Sequence, residues 1–372
     1  MSDRVLVTGG AGFIGSHVVE LLLEQGYEVV VYDALVDQVH RGAGPVYVPD
    51  GAQFIHGDVR DRDSLCAALQ GIEAVVHLAA EVGVGQSMYE ISRYVDANTS
   101  GTGVLLDLIA NQKTEVRRIV VASSMSIYGE GTYRCATHGV THPPLRSGAQ
   151  LASRDWELHC PECGEVLTPT GTAETKPPRP TSVYAISKMD QELLCLAVGG
   201  AYDLGVVALR YFNTYGPRQA LSNPYTGVAA IFSSRLLNGR APLAFEDGQQ
   251  LRDFIHVRDT ARATVLALES SAADGQAINV GADSPMTVVE VAGALGDALG
   301  VDIAPELTGT ARAGDIRHCY ADMTKAGELL GFVPEVSFAA GVGELMEWVS
   351  QQHADDLVDR AQRELSSRGL AR

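Results

Sequence analysis

The chain has 372 residues, 46% of them hydrophobic and 20% charged, enough apolar material for one large α/β domain carrying a smaller one and too much for a disordered chain. Asp and Glu outnumber Lys and Arg 46 to 28, a net charge of −18, so the general field repels nucleic-acid backbones and anionic membranes, and neither is an expected partner. Six cysteines are too few for a disulfide scaffold, and no signal-like apolar segment or apolar run of ~18 residues is present, so a soluble, cytoplasmic protein is expected.

Val5–Thr8 reads as a buried strand that runs into Gly9-Gly10-Ala11-Gly12-Phe13-Ile14-Gly15 and a helix over Phe13–Gln25. In such a turn Gly9 permits the tight bend and Gly12 lets backbone N–H groups at the positive helix end approach a pyrophosphate. Gly15 lets the helix lie close to the strand. Gly9, Gly12, Phe13 and Ile14 are therefore candidate dinucleotide contacts. The second strand, Val29–Tyr32, ends at Asp33, eighteen positions after Gly15. A carboxylate there accepts hydrogen bonds from the adenosine ribose and repels a 2′-phosphate, which favours NAD over NADP. Asp58, with Val59 beside it, closes the third strand (Gln53–His56) and is placed to hold the adenine amino group.

Further strands are predicted at Ala74–Leu78, Ile119–Ala122 and Val206–Tyr211, with helices at Asp63–Gln70, Tyr94–Asn111 and Thr181–Tyr202. This alternation predicts a Rossmann-type doubly wound parallel sheet, helices on both faces, over residues 1–215. Ser123-Ser124 follows the strand ending at Ala122, where a hydroxyl faces the cofactor crevice. Tyr184 and Lys188, four apart, share one helix face, and Lys188 is one of only four lysines in the chain. A nearby ammonium is expected to pull the phenol down toward neutrality, making Tyr184 a general base or acid for a sugar hydroxyl, while Lys188 also holds the nicotinamide ribose.

Residues from about 132 to 180 break the rhythm, being rich in Pro, Thr, His and Cys. Within them Cys135-x2-His138 and Cys160-x2-Cys163 are separated by 21 residues. Paired knuckles of this spacing suit a closed, structural tetrahedral zinc site, with His142 and His159 as alternative ligands. A metal gives such a stretch the stability that it lacks a core to supply. Beyond 216 the rhythm loosens into a smaller substrate-binding lobe (216–352), interleaved with the first domain. A terminal amphipathic helix (353–372) follows, its Leu357, Ala361 and Leu365 stripe reading as a docking face.

With these motifs in place, the sequence resembles the extended short-chain dehydrogenase/reductase family, in its sugar-nucleotide epimerase and dehydratase branch, from Val5 to about Trp348. The resemblance also rests on His77-Leu78-Ala79-Ala80, Asn98-Thr99-Ser100-Gly101-Thr102, Arg210-Tyr211-Phe212-Asn213-Thr214-Tyr215-Gly216-Pro217, Arg252-Asp253-Phe254-Ile255-His256-Val257 and Arg312-Ala313-Gly314-Asp315-Ile316-Arg317. It implies a catalytic trio of Ser124, Tyr184 and Lys188. It also implies NAD contacts at Leu78, Ala79, Ala80, Asn98 and Tyr211, and a nucleotide diphosphate held by Asn213, Arg252 and Arg312. Arg312 is followed by Ala313 where the family often has proline. A homodimer through the helices at Tyr94–Asn111 and Thr181–Tyr202 is implied as well.

Dehydratases of the branch typically carry Asp-Glu after the catalytic serine, and decarboxylases keep the Glu. Here Met125 and Ser126 stand there, so neither proton chemistry is provided for. The expected activity is that of an isomerase: 4-epimerisation of an NDP-hexose or NDP-6-deoxyhexose through a transient 4-keto sugar, with bound NAD. A 4-ketoreductase, a 4,6-dehydratase and a non-catalytic NAD-binding regulator are the alternatives. Gly83-Val84-Gly85-Gln86-Ser87 is expected near the sugar. Uronate epimerases often have arginine at the place of Gly85, so a neutral or 6-deoxy sugar is favoured over a uronate. The cysteine-bearing insert resembles that of bacterial dTDP-L-rhamnose 4-epimerases.

Overall fold

A computed structural model describes residues 3–312 and 314–370, so Ala313 lies outside the described residues. The short Val-rich runs form seven parallel strands. In chain order the first five of these are β1 (Arg4–Thr8), β2 (Glu28–Asp33), β3 (Gln53–His56), β4 (Ala74–His77) and β5 (Arg118–Ser124); three strands outside that sheet, β6 (Thr132–Cys135), β7 (Gly139–Thr141) and β8 (Thr168–Thr170), follow in the insert. Next come β9 (Gly205–Tyr211), β10 (Asn213–Tyr215), β11 (Leu243–Ala244), β12 (Leu251–His256), β13 (Gln276–Val280) and β14 (Pro285–Thr287). The main sheet runs β13-β9-β5-β4-β1-β2-β3, each neighbouring pair parallel.

Strand alternation sends side chains to both faces, and both are covered. Val5, Val7, Val29, Val31, Val207 and Leu209 meet Val18, Leu22 and Ala261 on one face. Leu6, Val30, Val75, Val121 and Ala208 meet Leu65, Leu105 and Cys195 on the other. Because β1 lies between β2 and β4, the chain reverses its direction of winding there. The resulting crevice opens at the carboxyl ends of the strands, where ligands of such sheets bind.

The last strand of the sheet, β13, comes from far beyond residue 216 and pairs with β9 from Gln276↔Val207 to Val280↔Tyr211. A second sheet, β10-β12-β14, carries Asn213 and Arg252 and packs on the apolar cluster around Phe232, Val291, Leu345 and Met346. The predicted helix at Tyr94–Asn111 is continuous but not uniform. Its Val95–Ser100 segment is a π-helix, a widened turn common at functional sites.

The insert is more ordered than its composition suggests: β7-β6-β8 form a small antiparallel sheet around Tyr133, Leu158 and Leu167. The terminal helix spans Val358–Ser367, with Ala361 and Leu365 buried; it begins later than the expected 353, so Leu357 of the expected stripe is its N-cap rather than part of it, and residues 371–372 lie outside the described residues. Among the described residues no helix is long and apolar enough to cross a membrane.

Candidate active site

The crevice is one continuous cleft of about 640 Å³ that reaches from Gly9 to Arg312. Its floor begins at the glycine turn. Gly9 has φ +71°, and a Cβ on Gly15 would stand 2.2 Å from the Gly9 carbonyl oxygen, so the first helix can approach the strand only with glycine there. Gly12 is the N-cap of that helix and no side chain caps it, which leaves backbone N–H groups for an anion. Asp33 is fixed by the amides of Ala11 (3.0 Å) and Leu35 (2.8 Å). Asp58 pairs with Arg60, and the Arg60 guanidinium holds its carboxyl below the usual range. Phe13, Ile14, Val59, Leu78, Ala79, Ala80 and Tyr211 line the same cleft. An uncapped helix end, a backbone-tethered carboxylate and an apolar wall fit a dinucleotide.

Asn98 does not line the cleft. It is fully buried on the π-helix, where its amide accepts from Glu81 N–H (2.7 Å) and donates to Glu81 C=O (3.0 Å) and Ser187 Oγ (2.9 Å). It ties the Leu78–Glu81 loop to the helix Val183–Tyr202, and so positions cleft residues rather than facing the cleft.

Ser124, Tyr184 and Lys188 converge on the cleft. Ser124 ends β5, and its Oγ accepts from the N–H and Oγ of Ser126 (3.2 and 2.9 Å). The N–H of Tyr184 donates to Ser87 Oγ (3.0 Å), and its ring meets Tyr94 edge-on at 6.4 Å. The expectation that Lys188 draws Tyr184 toward neutrality is not met in this state. Burial pushes the phenol up, opposed by its hydrogen bond with Ser124, and burial also pulls the Lys188 amine down to about 7. Both groups are enclosed, so desolvation disfavours charge on each.

Lys188 Nζ instead donates to Gln191 Oε1 at 2.7 Å. Gln191 Nε2 in turn reaches Thr102 Oγ1 (2.9 Å) and His77 Nε2 (3.2 Å), and His77 Nδ1 meets Thr8 Oγ1 (2.7 Å). Burial, with Lys188 adding to it, holds His77 down at about 3, a neutral ring. Sequence reasoning passed over Gln191, although a polar residue seven positions after Tyr184 lies on the same helix face.

Asn213, Arg252 and Arg312 lie at the far end of the cleft. Asn213 Oδ1 is buried without a hydrogen-bond partner in the protein, as is Gln219 Oε1 beside it in the lining. Arg252 donates to the carbonyls of Leu251, Ile316 and Arg317 (2.7–2.8 Å), and Arg312 pairs with Asp315 (2.8 Å) over the Phe245 ring (4.4 Å). Behind them, Arg317 is 1% exposed and its guanidinium meets Glu157, Glu246 and Asp247. Arg146 of the insert meets Glu246 at 2.8 Å. The insert is therefore bolted to the loop that carries Arg312, a contact between charges too distant in sequence to foresee.

Within the insert, the ligand atoms of Cys135, His138, Cys160 and Cys163 all lie within 4.8 Å of one another. His138 Nδ1 stands 3.5 and 3.4 Å from the sulfurs of Cys135 and Cys160, and the Cys135 and Cys163 sulfurs are 3.6 Å apart. His159 is engaged by Asp155 and the Gly164 carbonyl, and neither it nor His142 joins the cluster. Cys195 and Cys319 are buried and unpaired.

The family model for the NAD dependent epimerase/dehydratase family matches residues 5–148 and 160–281. The chain is 35% identical, over 94% of its length and 95% of the relative's, to a dTDP-L-rhamnose 4-epimerase of Burkholderia thailandensis. Among solved structures it resembles the UDP-glucose 4-epimerase of Thermotoga maritima with UDP-glucose (32% identity, 93% and 98% of the two chains, TM-score 0.75). The Thermus thermophilus UDP-glucose 4-epimerase complex with NAD is as similar (32% identity, 94% and 100%, TM-score 0.75). The chain belongs to the NAD dependent epimerase/dehydratase family.

Proposed function

We propose that the protein is a nucleotide-sugar 4-epimerase. The observation that carries this reading is the composition of the cleft. Tyr184, Lys188 and Ser124 share it with the glycine turn, while the two positions after Ser124 are Met125 and Ser126, which offer no carboxyl for removing water or carbon dioxide. The similarity to the rhamnose 4-epimerase supports the same choice.

The turn at Gly9–Gly15, Asp33, Asp58 and the Leu78–Ala80 loop would hold NAD, which when bound accepts a hydride from carbon 4 and returns it. Tyr184 takes the proton of the 4-hydroxyl and later gives it back, and the Ser124 hydroxyl holds the same oxygen. Between the two halves the 4-keto sugar turns over. Arg252, Arg312 and Asn213 keep the diphosphate in place meanwhile, with charge-assisted bonds that override the −18 field. Incubation with UDP-glucose and dTDP-L-rhamnose, without added cofactor, tests the reading: the 4-epimer of one of them accumulates to an equilibrium mixture.

The insert holds a structural zinc in this reading. Tetrahedral bonds of ~2.3 Å to sulfur and ~2.0 Å to nitrogen place ligand atoms roughly 3.5–3.8 Å apart, in keeping with the spacings in the cluster. His138 turns Nδ1 to the sulfurs and Nε2 toward Glu162 (3.6 Å), the outer-shell carboxylate that such ligands commonly have. The protein works as a homodimer, for which Ile186, Leu193 and Leu194 stand exposed on the helix Val183–Tyr202.

A further inference from the structure

The terminal helix Val358–Ser367 folds back over the cleft that holds Tyr184. Val358, Ala361, Gln362 and Leu365 line that cleft, and Leu365 is 7% exposed. Two ion-pair sets anchor the helix: Asp356 and Asp359 each meet both Arg235 and Arg240. At its other end the Arg368 guanidinium stacks on the Tyr89 ring (4.5 Å), and Tyr89 Oη meets Tyr225 Oη at 2.6 Å.

Leu365 reaches one particular place. A Cβ on Gly85 would stand 3.4 Å from both of its methyl groups, so leucine fills the space above a residue that has no side chain. Gly85 lies in the Val84–Ser87 turn, and Ser87 of that turn bonds the backbone of Tyr184. The leucine thus packs on the turn whose Ser87 holds the backbone of Tyr184, and both line the same cleft. The guanidinium groups nearby are already committed, Arg93 to Glu81 and Glu90 and Arg368 to Glu364.

We propose that the terminal helix is the wall of the sugar subsite and that Leu365 is a specificity-determining residue, selecting a nucleotide sugar whose carbon-6 group is apolar. This rests on the 4-epimerase reading, in which Tyr184 faces the 4-hydroxyl. Carbon 5, which bears carbon 6, adjoins carbon 4, so the carbon-6 group lies within reach of a wall beside Tyr184. Of a hexose's substituents only the methyl of a 6-deoxy sugar is apolar. Burying it against leucine is favourable, whereas a carboxylate there loses water and gains no cation.

The test is equilibrium binding of three ligands that differ only at carbon 6: UDP-6-deoxyglucose, UDP-glucose and UDP-glucuronate. Full-length wild type, Leu365→Ala and Leu365→Arg are compared, with UDP alone as the control. The wild type should bind the 6-deoxy sugar at least ~10-fold more tightly than the glucuronate. Leu365→Ala should shrink that ratio, Leu365→Arg should reverse it, and UDP binding should not change. A wild type that binds glucuronate as tightly as the 6-deoxy sugar overturns the assignment, as do ratios that ignore both substitutions. Turnover, followed in parallel, keeps the two readings apart. If neither these three nor dTDP-L-rhamnose is epimerised but the ratios move as stated, the epimerase reading fails and the wall stands.

Discussion

Lys188 and Gln191 meet at 2.7 Å on the helix Val183–Tyr202, both nearly inaccessible, and the bond turns this cleft-lining lysine toward Thr102 and His77. The amine pays for that burial with a pKa of about 7 against an ordinary 10.5. Between those values the unfolded chain binds the proton and the folded one does not, so this group's contribution to stability rises with pH across the window and is lost as pH falls toward 7. Lys188→Met should therefore abolish activity while stabilising the cofactor-free protein, by a few kcal/mol near pH 6 and least near pH 10. Denaturant titration at the two pH values reads the difference, and a Met variant that is less stable at pH 6 contradicts it.

Gln191→Leu removes the acceptor that favours the ammonium. The amine, already pulled down to about 7 by burial, should then lose its proton at still lower pH, so the basic limb of the pH–rate profile, which reports loss of the ammonium, should move to lower pH. An unshifted limb would leave Gln191 a packing residue.

The glycine turn gives a steric prediction. Gly15→Ala places a methyl 2.2 Å from the Gly9 carbonyl oxygen and 2.7 Å from Gly10 Cα, which the helix can relieve only by lifting off the strand. We expect loss of about 1–3 kcal/mol of stability and purified protein without the absorbance of a retained dinucleotide. Retention of cofactor at the wild-type level would show that the turn does not hold it.

How much of this was legible in the sequence depends on the range of the interaction. Strands such as Val5–Thr8 and Val29–Tyr32 are legible as short apolar runs, and the glycine turn and the Tyr184–Lys188 pair are local patterns. β13 was not read, because Gln276–Val280 is a short run bounded by Gly275 and Gly281 that joins the sheet only through β9, some seventy positions earlier. The π-helix at Val95–Ser100 has no periodicity of its own. The Ala361–Leu365 stripe showed that something covers it, but not that the cover is the chain's own cleft. The Arg317–Glu157 pair joins residues 160 positions apart, beyond any local rule.

Arg312 offers a clean separation of binding from chemistry. Its guanidinium pairs with Asp315, three positions on, and lies over the Phe245 ring, whereas Arg252 is held by three backbone carbonyls. Arg312→Met should raise KM for the nucleotide sugar by ~10-fold or more with kcat within about threefold. A fall in kcat at constant KM would place Arg312 in the chemical step instead.

Metal removal tests the insert. Metal analysis should give one zinc per chain, and Cys160→Ser or a strong chelator should release it and lower Tm. Because Glu157 and Arg146 tie the insert to Arg317 and Glu246, UDP binding should weaken by about tenfold while NAD remains bound. Unchanged metal content in Cys160→Ser would remove that cysteine from the ligand set.

In a 4-epimerase of this kind the hydride leaves carbon 4 and returns to its other face without loss to solvent. Proton NMR of the reaction in deuterated buffer, with dTDP- and UDP-sugars and no added cofactor, measures this directly. A mixture of 4-epimers that keep protium at carbon 4 is expected. A 4-keto-6-deoxy product with deuterium at carbon 5 would contradict it.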